Sequence, residues 1–435
     1  MVCNYPRLLL HYYSLPQSAR FLQEDGMKRE INVERYAWVI LVLMCLGISL
    51  PDYAQYQVPA FGPMIQETMK LVPTQFSTIA TAPLLPGIFL SLIAGLLVDR
   101  FGVRRILVGT MIITAAGVIL RVFANGFWSM YLTMICMGVA ATFLNSNVGK
   151  ILGQWFSPKR MALSMGIFLA SANASMSLGT GTAGLYPNMR AAFIGSAVLA
   201  VIILALWIVL MRDRPAEKTA DGETIAEEKV SILRGLKIAA TSRTVWMCAV
   251  CLFLSVGGMT SMANFMPSAL NERGFSESVC NVVSMAVTLG GLGGCLIAPV
   301  TARWFPNKRM FFITNGILAG LGVLFAWRIS DSPAVTFVLL FLTGYFCTGS
   351  SPILMSMPVR DPRIGTRYGG TAGGFVATIQ LGGSVVIPSY ILAPIATRTD
   401  GSCNFALYFG LIALMMAVFV IVCNLVPGVG QKSEG

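Results

Sequence analysis

Runs of roughly 20 apolar residues recur along this chain, with residues 192–211 and 405–426 the cleanest examples. At ~1.5 Å per residue, a helix of that length crosses the ~30 Å hydrocarbon layer of a bilayer. Only 11% of the 435 residues are Asp, Glu, Lys or Arg, where a soluble domain carries about a quarter. The chain therefore reads as an all-α membrane protein. A membrane β-barrel would need shorter segments that alternate in polarity, and these runs do not alternate.

Twelve spans are expected, roughly over residues 36–60, 75–98, 104–123, 127–151, 160–184, 190–211, 244–268, 276–301, 308–327, 334–357, 367–394 and 404–426. The longest internal polar stretch, RDRPAEKTADGETIAEEKVSILRGLKIAATSR, follows the sixth span. The expected layout is thus an N-terminal segment 1–35, a six-helix bundle 36–211, a linker 212–243, a second bundle 244–426 and a tail 427–435. Within the first segment, MKREINVERYAW from Met27 reads as a bacterial start, so residues 1–26 are expected to be an extension outside the native product. Detection of native peptides from that stretch by mass spectrometry would contradict this.

The net charge of +12 follows the topology. With both termini in the cytoplasm, 25 of the 31 Lys and Arg fall on the cytoplasmic side. Cationic loops remain inside and face anionic lipid, so the expected location is the bacterial inner membrane and no nucleic-acid partner is implied.

The two halves resemble each other. A shift of 207 residues brings Arg121 onto Arg328, Arg160 onto Arg367, Gly166 onto Gly373, Asn173 onto Gln380 and Pro187 onto Pro394. Parallel repeats of this kind place a solute site at their interface near the bilayer midplane. Arg121 and Arg328 lie near span ends and are expected to snorkel to the interface. Lys150 reads as an anchor at the inner end of span four. The cysteines, including Cys248 and Cys251, read as small apolar packing residues.

Polar side chains inside the spans are candidates for the solute or proton pathway: Asp52, Tyr53, Gln55 and Tyr56 in span one, Asn145 and Asn147 in span four, Asn173 in span five, Asn264 in span seven and Gln380 in span eleven. Amides in hydrocarbon should face one another or water. Asp52, about 16 residues into its span and roughly 24 Å from the inner edge, is the deepest carboxyl. It is read either as a proton carrier or as an outer-vestibule or capping residue. No metal-ligand spacing, nucleotide loop or nucleophile–base pair is found, so neither a cofactor nor an enzyme activity is expected.

Between spans two and three lies Gly95-xxx-Asp99-Arg100-x-Gly102-x-Arg104-Arg105. This resembles the loop-two motif of the major facilitator superfamily of secondary transporters, whose twelve spans, two halves and central linker match residues 36–426. One usually basic position is Val103 here. The second-half copy, APVTARWFPNKRM, has Arg303 near the place of the aspartate. The resemblance implies alternating access, with Asp99 latching the halves against the RYGGTAGG region at the start of span eleven. It also implies a monomer that contacts membrane lipids and its solute. Wording such as SPKRMALSMGIF is similar to organic-acid members. The expected function is proton-coupled uptake of a small polar solute such as an organic acid. The alternative is proton-coupled efflux of lipophilic compounds, although span five lacks the Gly-Pro-xx-Gly-Gly motif common to such antiporters. A non-transporting nutrient receptor on the same fold is the remote alternative.

Overall fold

The computed structural model describes residues 17–213, 232–358, 363–364, 369–398 and 401–426. The chain is helical almost throughout, as a bilayer requires of a backbone that must satisfy its own N–H and C=O groups. α1 runs Gln17–Ala60, followed by the short α2 over Gly62–Met69. Span two is α3 (Pro73–Thr81) and α4 (Leu85–Phe101), broken by a 3₁₀ turn at Ala82–Leu84. α5 (Val103–Leu120), α6 (Phe127–Trp155), α7 (Pro158–Gly181) and α8 (Met189–Leu210) complete the first half. After α9 (Ile232–Thr241), the second half contains α10 (Arg243–Glu272), α11 (Glu277–Thr301), α12 (Lys308–Phe325), α13 (Pro333–Thr348), α14 (Ser351–Ser356), α15 (Gly369–Val386), α16 (Ala393–Ala396) and α17 (Phe405–Leu425). Between α15 and α16, the backbone widens into a π-helical stretch at Ile387–Leu392.

Ten stretches are long and apolar enough to cross a membrane. The broken span two and α7 supply the remaining two of the twelve. Helix starts are set locally. Asn188, Asn307 and Asn404 each accept a backbone N–H three residues on, and prolines open α3, α7 and α13. α1 begins well before the expected first span, inside the N-terminal segment 1–35. It is already helical at Gln17, because only Gly26 interrupts the residues before the span and elongation adds one hydrogen bond per residue. Residues 1–16, most of the linker (214–231) and the tail from 427 lie outside the described residues.

α1 packs on α6, α7 and α8, and α5 on α6 and α8. The second half repeats this, with α10 on α11, α15 and α17, and α12 on α13 and α17. The halves meet through two symmetry-related pairs, α7 with α11 and α4 with α15, and through α1 with α10. As expected for lipid-facing helices, α8 exposes Ile194, Val198, Val201 and Val209, and α17 exposes Leu414, Val418 and Ile421. Cys248, Cys251, Cys347 and Cys423 are buried, with Cys251 and Cys423 in S–H···S contact at 3.3 Å. Among the described residues, no cluster of His, Cys, Asp or Glu could hold a metal.

Candidate functional site

α1 presents three faces, each occupied by different residues of its polar segment. One face is turned to α7 and the 3₁₀ turn beyond it: Ser49 Oγ donates to Ser171 O, and the Tyr53 hydroxyl bonds Thr182 at 3.0 Å and Tyr186 at 3.4 Å. Hydrogen bonding to Tyr53, together with burial, pushes the Tyr186 phenol up to about 12, so it stays neutral at ordinary pH. A second face is turned to span two, where Gln55 Nε2 donates to Ala80 O at 3.0 Å. Asp52 and Tyr56, four residues apart, occupy the stripe between these faces. Asp52 is 7% exposed, and the ion pair present among the described residues, Arg273–Asp331, does not involve it.

The third face of α1 corrects the sequence reading. Arg121 does not snorkel to the interface. It is 0% exposed and lies in a pocket between α1, its own helix end and α8. Its Nη1 donates to Ala54 O, and its Nη2 donates to Gln57 Oε1 at 2.9 Å and to Ser196 Oγ at 2.8 Å. The guanidinium also stacks over the Phe193 ring, 4.0 Å from its centroid. Ala54 and Gln57 are roughly half a helical turn around from Asp52, so Arg121 is not a counter-ion of that carboxyl. Its repeat mate, Arg328, is exposed and rests on Trp327. Ser196 places a hydroxyl on the buried face of the otherwise apolar α8.

Contacts between the halves are concentrated at one end, the end away from the linker. There Ser389, on the π-helical stretch, bonds Ser77 at 3.2 Å and Thr81 at 2.9 Å. Ser177 bonds Thr288 at 2.7 Å, and Phe76 meets Phe265 edge to face. A Cβ on Gly87 of α4 would stand 2.8 Å from Leu381 of α15. Two turns further along α4 the helices have parted: a Cβ on Gly95 would meet nothing within 4 Å, and the same holds for Gly166 of α7 and Gly373 of α15. The halves therefore enclose a cleft that is shut at the far end and open at the linker end.

Not every expected pathway residue reaches this cleft. Asn145, with Ser146 and Lys150 nearby on α6, is exposed, while Asn173 on α7 and Gln380 on α15 are half-buried. Asn147 bonds back to Phe143 O at 2.9 Å and Asn173 to Leu169 O at 3.0 Å. Asn264 Nδ2 and Gln380 Oε1 are buried and meet no hydrogen-bond partner among the described residues. Tyr53 is spent on its hydroxyl cluster. Sequence reasoning missed Ser196 and Ser389, and the pair Asn281 and Ser284 on α11. A lone serine in the apolar run 192–211 was the available signal for Ser196.

The loop-two motif forms the turn between α4 and α5. Gly102 has φ 88°, a left-handed conformation that glycine adopts freely. The Arg104 N–H donates to Asp213 Oδ1 at 2.9 Å, which places a carboxylate at the N-terminus of α5. Arg100, Arg104 and Arg105 are exposed. The Asp99 side chain and residues 365–368, which would face it, lie outside the described residues.

The sequence model of the Major Facilitator Superfamily matches residues 37–388. The chain is 24% identical over 311 residues to the 3-(3-hydroxy-phenyl)propionate transporter of Escherichia coli (strain K12), covering 68% of this chain and 74% of that one. It is 23% identical over 379 residues to the hexuronate transporter of Bacillus subtilis (strain 168), covering 81% and 86%. Its fold matches the crystal structure of a bacterial homologue of the human lysosomal transporter Spinster in an inward-facing, unoccupied conformation, with a TM-score of 0.65, 13% identity, and 90% and 95% of the two chains covered.

Proposed function

The chain belongs to the major facilitator superfamily, and from that premise we propose that it is a secondary active transporter moving a small polar carboxylate by alternating access, driven inward by protons. The observation that carries this reading is the cleft between the halves, closed at one end only. The relatives add the solute class, since the substrates both are named for, a phenylpropionate and a hexuronate, are carboxylic acids. The cationic loops support a cytoplasmic linker and cytoplasmic termini in a bacterial inner membrane. In that orientation the cleft faces the cytoplasm and the hydroxyl contacts at Ser389 and Ser177 seal the outer mouth. The working unit is a monomer of two bundles, 36–211 and 244–426, joined by the linker 212–243.

Within this reading, Asp52 carries the proton, and Asn145, Asn173, Asn264 and Gln380 meet the solute from both halves. Asn147 supports the α6 wall, while Gln55, Tyr53 and Tyr56 hold α1 against its neighbours. The loop-two residues Gly95, Asp99, Arg100, Gly102, Arg104 and Arg105 work the cytoplasmic latch. Asp99→Asn is expected to slow transport about tenfold or more and to shift labelling of outer-mouth cysteines. Wild-type kinetics with unchanged labelling would remove the latch from this account.

A thermal-shift screen of the purified protein tests the solute class. A ligand that prefers the folded state at 100 times its Kd stabilises it by about 2.7 kcal/mol. Small carboxylates are expected to raise the melting temperature in a concentration-dependent way. Stabilisation by lipophilic cations alone would reverse the direction and make this an exporter.

A further inference from the structure

α11 turns one face to the other half of the molecule. Ser278 marks its start, 3.0 Å from where a Cβ on Gly184 would stand, and Met285 packs against Gly181 about two turns on. Thr288 extends the face through its 2.7 Å bond to Ser177. Helical spacing puts Asn281 on this face, among Ser278, Met285 and Thr288. Asn281 is 0% exposed, and neither Nδ2 nor Oδ1 meets a hydrogen-bond partner among the described residues. The hydroxyl of Ser284, one turn on, is also buried and without a partner. By contrast, Ser177 and Thr288 pair across the seam, and Tyr53 and Thr182 pair beside it.

A dry interface between two helices has no use for an amide. Leucine has nearly the same size, would add apolar burial and would leave nothing unpaired. An unpaired amide at the α7–α11 seam lowers the stability of the closed state alone, because once the seam parts water can pair both of its ends. The Ser177–Thr288 bond acts in the opposite sense, since it exists only while the seam is shut.

We propose that Asn281 is a positioning residue of the transport cycle: its unpaired amide holds the outer mouth close to opening, against the closing bond between Ser177 and Thr288. The inference rests on the alternating-access reading above. A seam closed entirely by apolar packing would leave the protein trapped facing one side. A seam destabilised by one amide shifts the equilibrium by roughly tenfold, enough for solute and proton binding to move it either way.

The test is a distance measurement by pulsed electron resonance between spin labels at Thr68 and Ser332, exposed positions at the outer ends of the two halves. The protein is reconstituted in lipid nanodiscs, with its native cysteines replaced by alanine, at acidic and at alkaline pH. Asn281→Leu is expected to lower the long-distance, outward-open fraction about tenfold relative to its parent. Asn281→Val serves as a second apolar variant if the leucine does not fold. Thr288→Val, which removes the closing bond, is expected to raise that fraction several-fold. An open fraction in the Asn281 variants equal to or above that of the parent would overturn the proposal while leaving alternating access intact. A parent with one distance at every pH would overturn alternating access, and this proposal with it.

Discussion

Asp52→Asn is expected to reduce solute accumulation in proteoliposomes from many-fold to the equilibrium level, while exchange of labelled for unlabelled solute persists. The asymmetry follows from where Asp52 sits. It lies on the stripe of α1 left between the face bonded to α7 and the face bonded to span two. It is almost fully buried, and the described ion pair lies elsewhere, between Arg273 and Asp331. A carboxyl there can gain and lose a proton as the cleft changes sides, and so couple the gradient to the solute. The amide of Asn281 plays no part in that step, and neither does Arg121, which faces the opposite way. An asparagine keeps the shape and hydrogen-bonding capacity of Asp52 but cannot carry the proton, so net accumulation stops while the halves can still rock with solute bound. Undiminished concentrative uptake by the variant would eliminate Asp52 as the carrier.

Arg121→Met is expected to be the most destabilising single change in the first half, by about 3–5 kcal/mol. The guanidinium ties its own helix end to two others: α1 through Ala54 O and Gln57, and α8 through Ser196 and the Phe193 ring beneath it. Methionine fills much of the volume but leaves those acceptors unpaired in a site with no solvent access. For a unit of this size, the loss corresponds to a fall of roughly 10 °C in melting temperature. Lysine would retain the charge but not the fork that reaches several acceptors together, so Arg121→Lys should recover only part of the loss. Adding Gln57→Leu to Arg121→Met should cost less than it does in the wild type, because Gln57 Oε1 is already unpaired and the remaining loss is the long 3.4 Å bond from its Nε2 to Ala192 O. Melting of Arg121→Met at the wild-type temperature would show that the cluster contributes nothing to stability.

Much of the architecture was legible in the sequence because hydropathy reports one physical fact, the cost of placing a polar group in hydrocarbon. That fact located the spans, and the ordered matches between the halves located the repeat. The loop-two turn was legible through Gly102, where the backbone takes a left-handed conformation. Arg121 was misread for a related reason. Its position near a span end permits either snorkelling or burial, and the choice depends on Gln57, Ser196 and Phe193, which approach it only in the fold. Arg328, matched to it in sequence, takes the exposed alternative.

The candidate pathway was legible as a set of residue types but not as a set of directions. Asp52 and Tyr56 were grouped with Tyr53 and Gln55, yet the four point to three different neighbours, because successive residues of a helix are separated by about 100°. Asn147 and Asn173 were expected to face one another or water, and both instead bond to their own preceding turns. Ser389 and Asn281 are polar residues inside spans, a signal that did not set them apart from many others. Their significance comes from the neighbour across the seam, which pairs one and leaves the other unpaired.

Proton-driven carboxylate uptake is tested most directly with radiolabelled small carboxylates and proteoliposomes of the purified protein under an inward-directed proton gradient. Accumulation above the equilibrium level that collapses when a protonophore is added is the expected result. Carboxylate flux no greater than in empty liposomes, with the same gradient driving movement of a lipophilic cation, would contradict it.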